Sequence, residues 1–158
     1  MDAPTDLTIT QVAEADLGDL AASMLAYARF YGEEASVDEL VAMARVFLAG
    51  AGGTQLIARA ATHGEVVGHA TVLWSWDTTL GLPLAVMEDL FVDPGARSGG
   101  VGRALLEACR ELAADRGCRW LQWQTAPENT TAQRLYDSLG GDRSQWLTYR
   151  VPAGGPSA

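Results

Sequence analysis

Leu90-Phe91-Val92-Asp93-Pro94-Gly95-Ala96-Arg97-Ser98-Gly99-Gly100-Val101-Gly102-Arg103 reads as a buried strand that runs out, a short loop, and a run of glycines that opens a helix. The first backbone N–H groups of a helix have no intrahelical partner and carry partial positive charge. Glycines let an anion approach that backbone closely. Between Pro94 and Leu106 there are two arginines and no carboxylate, in a chain of formal net charge −9. The segment is a local anion site whose residue types suit a phosphate-bearing ligand. A plain helix start with a glycine turn is the alternative reading of the same residues.

Working outward, Leu84 to Val92 is mostly apolar and reads as a central strand. After the loop, Val101, Ala104, Leu105, Ala108, Cys109 and Leu112 recur at helical spacing from about Gly100 to Arg116, and Gly117 stops the helix. Upstream, Leu7 to Val12 reads as a first strand. Asp16 reads as the cap of a helix bearing Leu17, Leu20, Ala21, Met24 and Leu25 on one face. Ser36-Val37-Asp38-Glu39 is a capping box opening a second helix, ended by Gly50 and Gly52-Gly53. Thr54 to Ala61 and Glu65 to Trp76 form an antiparallel hairpin around His63-Gly64. Downstream, Trp120 to Gln124 reads as a strand, Asn129 to Leu139 as a short helix and Trp146 to Val151 as a last strand. The order is β-α-α-β-β-β-α-β-α-β. Three consecutive strands without helices argue against a doubly wound sheet. The expectation is an α+β (mixed α/β) fold, a mixed, mostly antiparallel sheet with helices on both faces. It occupies one domain over residues 1–152, with a disordered tail over 153–158.

The 158 residues are 48% apolar and 20% charged, the proportions of one globular domain. No stretch reaches the ~18 consecutive apolar residues of a membrane helix. Met1 to Asp6 has no basic segment leading into an apolar run. The reading is therefore a cytoplasmic protein with no membrane partner. Cys109 and Cys118 have no metal-ligand spacing and read as reduced thiols. The acidic balance disfavours nucleic acid as a partner and steers cations toward the chain. All 11 basic residues are arginine. The absence of lysine excludes a Walker A loop, a Schiff-base lysine and a lysine base.

Arg97-Ser98-Gly99-Gly100-Val101-Gly102 resembles the Arg/Gln-x-x-Gly-x-Gly/Ala signature of the GCN5-related N-acetyltransferases (GNAT), which holds the pyrophosphate of acetyl-coenzyme A. The commonest signature has glycine directly after the arginine; Ser98 stands there in this chain. Asn129, Ala132, Leu135-Tyr136 and Gly140 resemble the family's later motif, with an asparagine near the cofactor and a tyrosine near its sulfur. The resemblance implies acetyl-coenzyme A as co-substrate, held by residues from Arg97 to Arg103 and by Asn129, with its pantetheine arm beside Leu90, Phe91 and Val92. It implies no metal, and a homodimer. A narrower resemblance is to the diamine (spermidine/spermine) acetyltransferases. It rests on Met87-Glu88-Asp89-Leu90-Phe91-Val92, on Leu25-Ala26-Tyr27 through Tyr31-Gly32-Glu33-Glu34, and on Trp146. That branch has acidic residues beside the tryptophan, where this chain has Ser144 and Gln145. The narrower resemblance implies a small amine acceptor, a polyamine, amino acid or similar, near Tyr27, Asp89 and Trp146.

Amine acetylation needs a base for the ammonium, stabilisation of an oxyanion, and a proton for the departing thiolate. Glu88 is the candidate base, since it lies on an apolar strand where desolvation favours the protonated carboxyl. A half-exposed strand edge is the structural alternative. Asp89 faces the other way if the strand is regular and reads as a substrate contact. Tyr136 is the candidate acid, a phenol of intrinsic pKa ~10; a core tyrosine is the alternative. Glu14 to Leu40 carries seven acidic residues and one arginine, which fits helix caps and solvated faces, or an acidic wall for a cationic acceptor. Trp74 and Trp76 share a strand face without a deciding partner, and His63 and His69 have none in the sequence. A non-catalytic acetyl-coenzyme A sensor would keep the loop; Glu88 and Tyr136 together weigh against it. A Rossmann nucleotide binder lacks its βαβ unit.

Overall fold

Hydrophobic alternation becomes five strands and helical spacing becomes four helices in the computed structural model, which describes residues 7–154. In chain order these are β1 (Leu7–Gln11), α1 (Leu17–Phe30), α2 (Val37–Leu48), β2 (Gly53–Ala60), β3 (Val66–Asp77), β4 (Leu82–Val92), α3 (Val101–Asp115), β5 (Leu121–Gln122) and α4 (Thr130–Ser138). The chain divides into two compact units, Met1–Gln124 and Thr125–Ala158. The first holds the sheet and α1 to α3; the second holds α4. The expected tail lies mostly outside the described residues.

Strands follow one another across the sheet as β1-β2-β3-β4-β5. The first three pairings are antiparallel, and β4 pairs with β5 in parallel. The mixed, mostly antiparallel sheet is therefore present. Helices cover both of its faces, as two adjacent residues show. A side chain at Gly68 would point at Leu105 of α3. The next residue, His69, bonds Ser23 of α1. Neighbouring strand residues point to opposite faces.

Under α1 and α2 the core is Val12, Leu17, Leu20, Met24, Ala44 and Ile57, with Leu40, Val41 and Val66 packed against it. Leu20 and Ile57 are fully buried, each contributing about 1.5–3 kcal/mol. Ser36 caps α2, its Oγ accepting from the Glu39 N–H at 3.5 Å. Asp16 does not cap α1 as expected. Its carboxylate instead accepts from the Ala13 N–H at 2.9 Å and from Arg59 at 2.9 Å. Those bonds hold the carboxyl below its usual range, the Ala13 N–H most strongly.

Two strand expectations change. The one over Trp120 to Gln124 is confined to Leu121–Gln122. The one over Trp146 to Val151 does not form. Its residues have strand-like character, but a strand exists only through a backbone ladder, and the described pairings end at β5. Trp146, Leu147, Tyr149 and Val151 are exposed instead.

Candidate active site

The β3–β4 register breaks at one place. Thr71 lies opposite Asp89, and the next residue, Val72, lies opposite Met87. Glu88 is the extra residue of a β-bulge. A bulge takes a residue out of the ladder and re-aims it. The regular alternation that set Asp89 opposite to Glu88 does not hold here. Glu88 is exposed, so the desolvation expected for it is not supplied by the chain around it. Burial falls on Asp89, whose carboxyl is pushed above the usual carboxylate range. Desolvation is the main cause and the neighbouring charge of Glu88 adds to it, while a hydrogen bond with Thr71 works against both.

Asp89 belongs to a polar row across three strands. Gln55 of β2 is opposite Thr71 of β3, which is opposite Asp89 of β4. The Gln55 Nε2 donates to Thr71 Oγ1 at 3.1 Å and lies 3.7 Å from Met24 Sδ. Gln55 and Thr71 are buried. The next row on this face is Ile57, His69 and Phe91. His69 is fully buried, with Nδ1 2.7 Å from Ser23 Oγ and its ring between those of Tyr27 and Phe91, at 5.9 and 5.6 Å. Burial lowers its pKa to about 4, so it is neutral at pH 7. Tyr27 also meets Tyr31 edge-on at 5.1 Å. It stands at the rim of this aromatic cluster, beside Phe91 of the expected cofactor strand.

Beyond Val92 the chain enters a short 3-10 turn, Pro94–Ala96, where Asp93 Oδ1 accepts from the Gly95 N–H at 2.9 Å. The Arg97 Nε donates to the Val92 carbonyl at 3.2 Å, and its guanidinium lies 5.3 Å from the centre of the Phe30 ring. Ser98 has φ of 68°, the one non-glycine residue among those described in the left-handed region. The family's preference for glycine at this place follows from that geometry. Gly100, at φ 80°, caps α3 without a side-chain bond, and the first turn holds no acidic residue. The N–H groups of Val101 and Gly102 precede the first bond of the helical ladder, from Ala104 to Gly100. Such a start fits a pyrophosphate, because it presents uncapped donors, a helix dipole and no competing carboxylate.

β4 pairs with β5 only at Ala85–Leu121 and Val86–Gln122. From Met87 to Val92 its described ladder is with β3. In the second unit, Asn129 Oδ1 caps α4 by accepting from the Ala132 N–H at 3.3 Å, and Tyr136 lies about two turns beyond the cap on that helix. Trp146 is 94% exposed. Sequence reasoning missed Gln55, Thr71 and the Ser23–His69 pair; the buried polar residue types on an apolar strand were their signal. A cavity of about 400 Å³ under α1, lined by Asp19, Ser23, Arg59, His63, Glu65 and Asp93 among others, lies apart from the bulge.

Residues 20–140 match the acetyltransferase (GNAT) family. The chain is 28% identical over 150 residues to the uncharacterised N-acetyltransferase YhfO of Bacillus subtilis, covering 93% of this chain and 99% of that one. It is 35% identical over 109 residues to the type 1 aminoglycoside N(6')-acetyltransferase of Stenotrophomonas maltophilia, covering 66% and 71%. Similarity to the thialysine N-epsilon-acetyltransferase of Bos taurus, at 33% identity, covers 48% of this chain and 44% of that one. Among solved structures, an aminoglycoside acetyltransferase, AAC(6')-Iy in complex with coenzyme A, superposes with a TM-score of 0.80 at 24% identity, over 94% of this chain and 95% of that one. This chain belongs to the GNAT acetyltransferase family. It is an N-acetyltransferase, moving an acetyl group from acetyl-coenzyme A to an amine.

Proposed function

We propose that the acceptor is a small cationic amine and that transfer is direct, with Glu88 as general base and Tyr136 as general acid. The observation that carries this reading is the bulge. It takes Glu88 out of the ladder on the strand that runs into the uncapped start of α3. At about 3.3 Å per residue, Glu88 lies roughly 16 Å along β4 from Asp93. That separation suits a pantetheine arm with pyrophosphate at one end and thioester at the other. Glu88 takes a proton from the acceptor ammonium, directly or through water. The freed amine attacks the thioester carbonyl, the attacking nitrogen gives up its second proton to water, and the C–S bond breaks as the oxyanion collapses to the neutral amide. Tyr136 gives the departing thiolate a proton, a role supported by its motif.

The polarity of the acceptor follows from Asp89 beside Glu88 and from the net charge of −9. Aminoglycosides and thialysine, named for two relatives, are amines of this kind, and polyamines belong to the same class. Homodimerisation and a cytoplasmic location complete the proposal; light scattering after gel filtration tests the first.

Thiol release from acetyl-coenzyme A tests the chemistry, with kanamycin, thialysine, spermidine and benzylamine as acceptors. Glu88→Gln is expected to lower the rate by about 10²–10⁴-fold with acetyl-coenzyme A binding retained. Equal rates would remove Glu88 from the mechanism. Tyr136→Phe is expected to slow release through its leaving-group step, most visibly with the fastest acceptor.

A further inference from the structure

We propose that Thr71 is a positioning residue for acceptor binding: oriented by Gln55, it donates its hydroxyl hydrogen to Asp89 and fixes that carboxylate beside Glu88. The inference rests on the acetyl-transfer reading above and extends it to residues that never touch the cofactor.

The direction of the relay follows from donor counting. An amide nitrogen only donates, and Gln55 Nε2 lies 3.1 Å from Thr71 Oγ1, so the threonine oxygen accepts there. Its single hydrogen is then free for the residue directly opposite on β4, Asp89, whose carboxylate is the proposed acceptor. Turning the amide over would place an oxygen against Thr71, take that hydrogen, and leave Thr71 with only lone pairs to offer Asp89. The Gln55 Nε2 contact with Met24 Sδ favours the same orientation.

The arrangement is not explained by packing. Gln55 and Thr71 are buried at 4% and 2% exposure. Gln55 Oε1 is buried with no hydrogen-bond partner. An apolar residue against Met24 would avoid that unsatisfied acceptor. A buried polar group left partly unsatisfied in a native core calls for an explanation, and a functional role is one. This row ends at Asp89, the immediate neighbour of the one residue that the β3–β4 bulge displaces, Glu88. The titratable groups on elements packed over this face are Glu88 on β4, His69 on β3 and Tyr27 on α1. Arg59 lies two rows further, with Asp16 and Asp19. The Gln55–Thr71 pair adds orientation to Asp89 without adding charge.

The test compares Thr71→Val, which keeps the β-branched shape, with Thr71→Ser, which keeps the hydroxyl. Acceptor kcat/KM with kanamycin or thialysine is expected to fall about tenfold in the valine variant, mainly through KM, with the acetyl-coenzyme A KM unchanged. The serine variant is expected to recover to within about twofold. A carbon-13 titration of the Asp89 carboxyl is expected to move up in Thr71→Val, since the bond that lowers it is gone, and to return in Thr71→Ser. Unchanged kinetics and titration in Thr71→Val overturn the proposal while the wild type still turns over. Equal losses in both variants make Thr71 structural and also overturn it. A wild type that releases no thiol with any amine overturns the acetyl-acceptor reading, and this inference falls with it.

Discussion

The two faces of the β3–β4 pair are built differently. Toward α3, Gly68 lets the sheet come close enough that a Cβ would sit 2.5 Å from the Phe91 carbonyl and 3.2 Å from Leu105. Leu105, Leu106 and Cys109 fill that side with apolar volume, and burial pushes the Cys109 thiol up to about 12. Toward α1, the same strands bury Thr71 and His69 and half-bury Asp89, with buried Gln55 of β2 alongside. One face is organised for density and the other for hydrogen bonding. The polar face is the one whose rows meet the bulge at Glu88. Its polarity supports the proposed placement of the chemistry, because an all-apolar face would serve the fold as well.

The contrast can be broken most severely from the dense side. Gly68→Ala has no room, and it is expected to cost about 3–5 kcal/mol, read as a lowered urea midpoint. The polar side is probed through pH. His69 titrates at about 4 when folded and near 6.5 when unfolded. The unfolded chain therefore binds the extra proton between those values. The stabilisation is complete above pH 6.5 and is lost as pH falls toward 4, about 3 kcal/mol in all. Asp89, raised in the fold, acts in the opposite sense and offsets part of that loss. His69→Gln is expected to flatten the dependence of the urea midpoint across this window. The smallest effect belongs to the loop beyond both faces. Ser98→Gly relieves a left-handed residue and is expected to raise stability by up to about 1 kcal/mol, seen as a small rise in Tm with acetyl-coenzyme A binding kept.

Element order, hairpin and glycine loop were legible because each depends on local signals such as period, caps and turn residues. Ser36 and Gly100 behave as their types predict. What was not legible depends on partners far along the chain. The bulge is a mismatch between two strands, and nothing in Met87-Glu88-Asp89 alone announces it. The burial of Asp89 rather than Glu88 follows from that bulge. Asp16 has the residue type of a cap, but Arg59, 43 positions away, and the Ala13 N–H claim its carboxylate. Trp146 to Val151 has the composition of a strand, and composition does not supply a ladder. Thr71 and Gln55 looked like ordinary strand residues until β2, β3 and β4 were set in register.

The two-residue pairing of β4 with β5 has a consequence for how the molecule breathes. From Met87 to Val92 the described ladder of β4 is with β3 alone, so alternate amides are expected to exchange with deuterium as those of an edge strand do while their neighbours, bonded to β3, stay protected. An extended ligand lying in that gap serves as a missing strand, and its occupancy stabilises the fold by mass action, about 2.7 kcal/mol at a hundredfold excess over Kd. On the proposed placement of the cofactor, the melting temperature is expected to rise with acetyl-coenzyme A concentration.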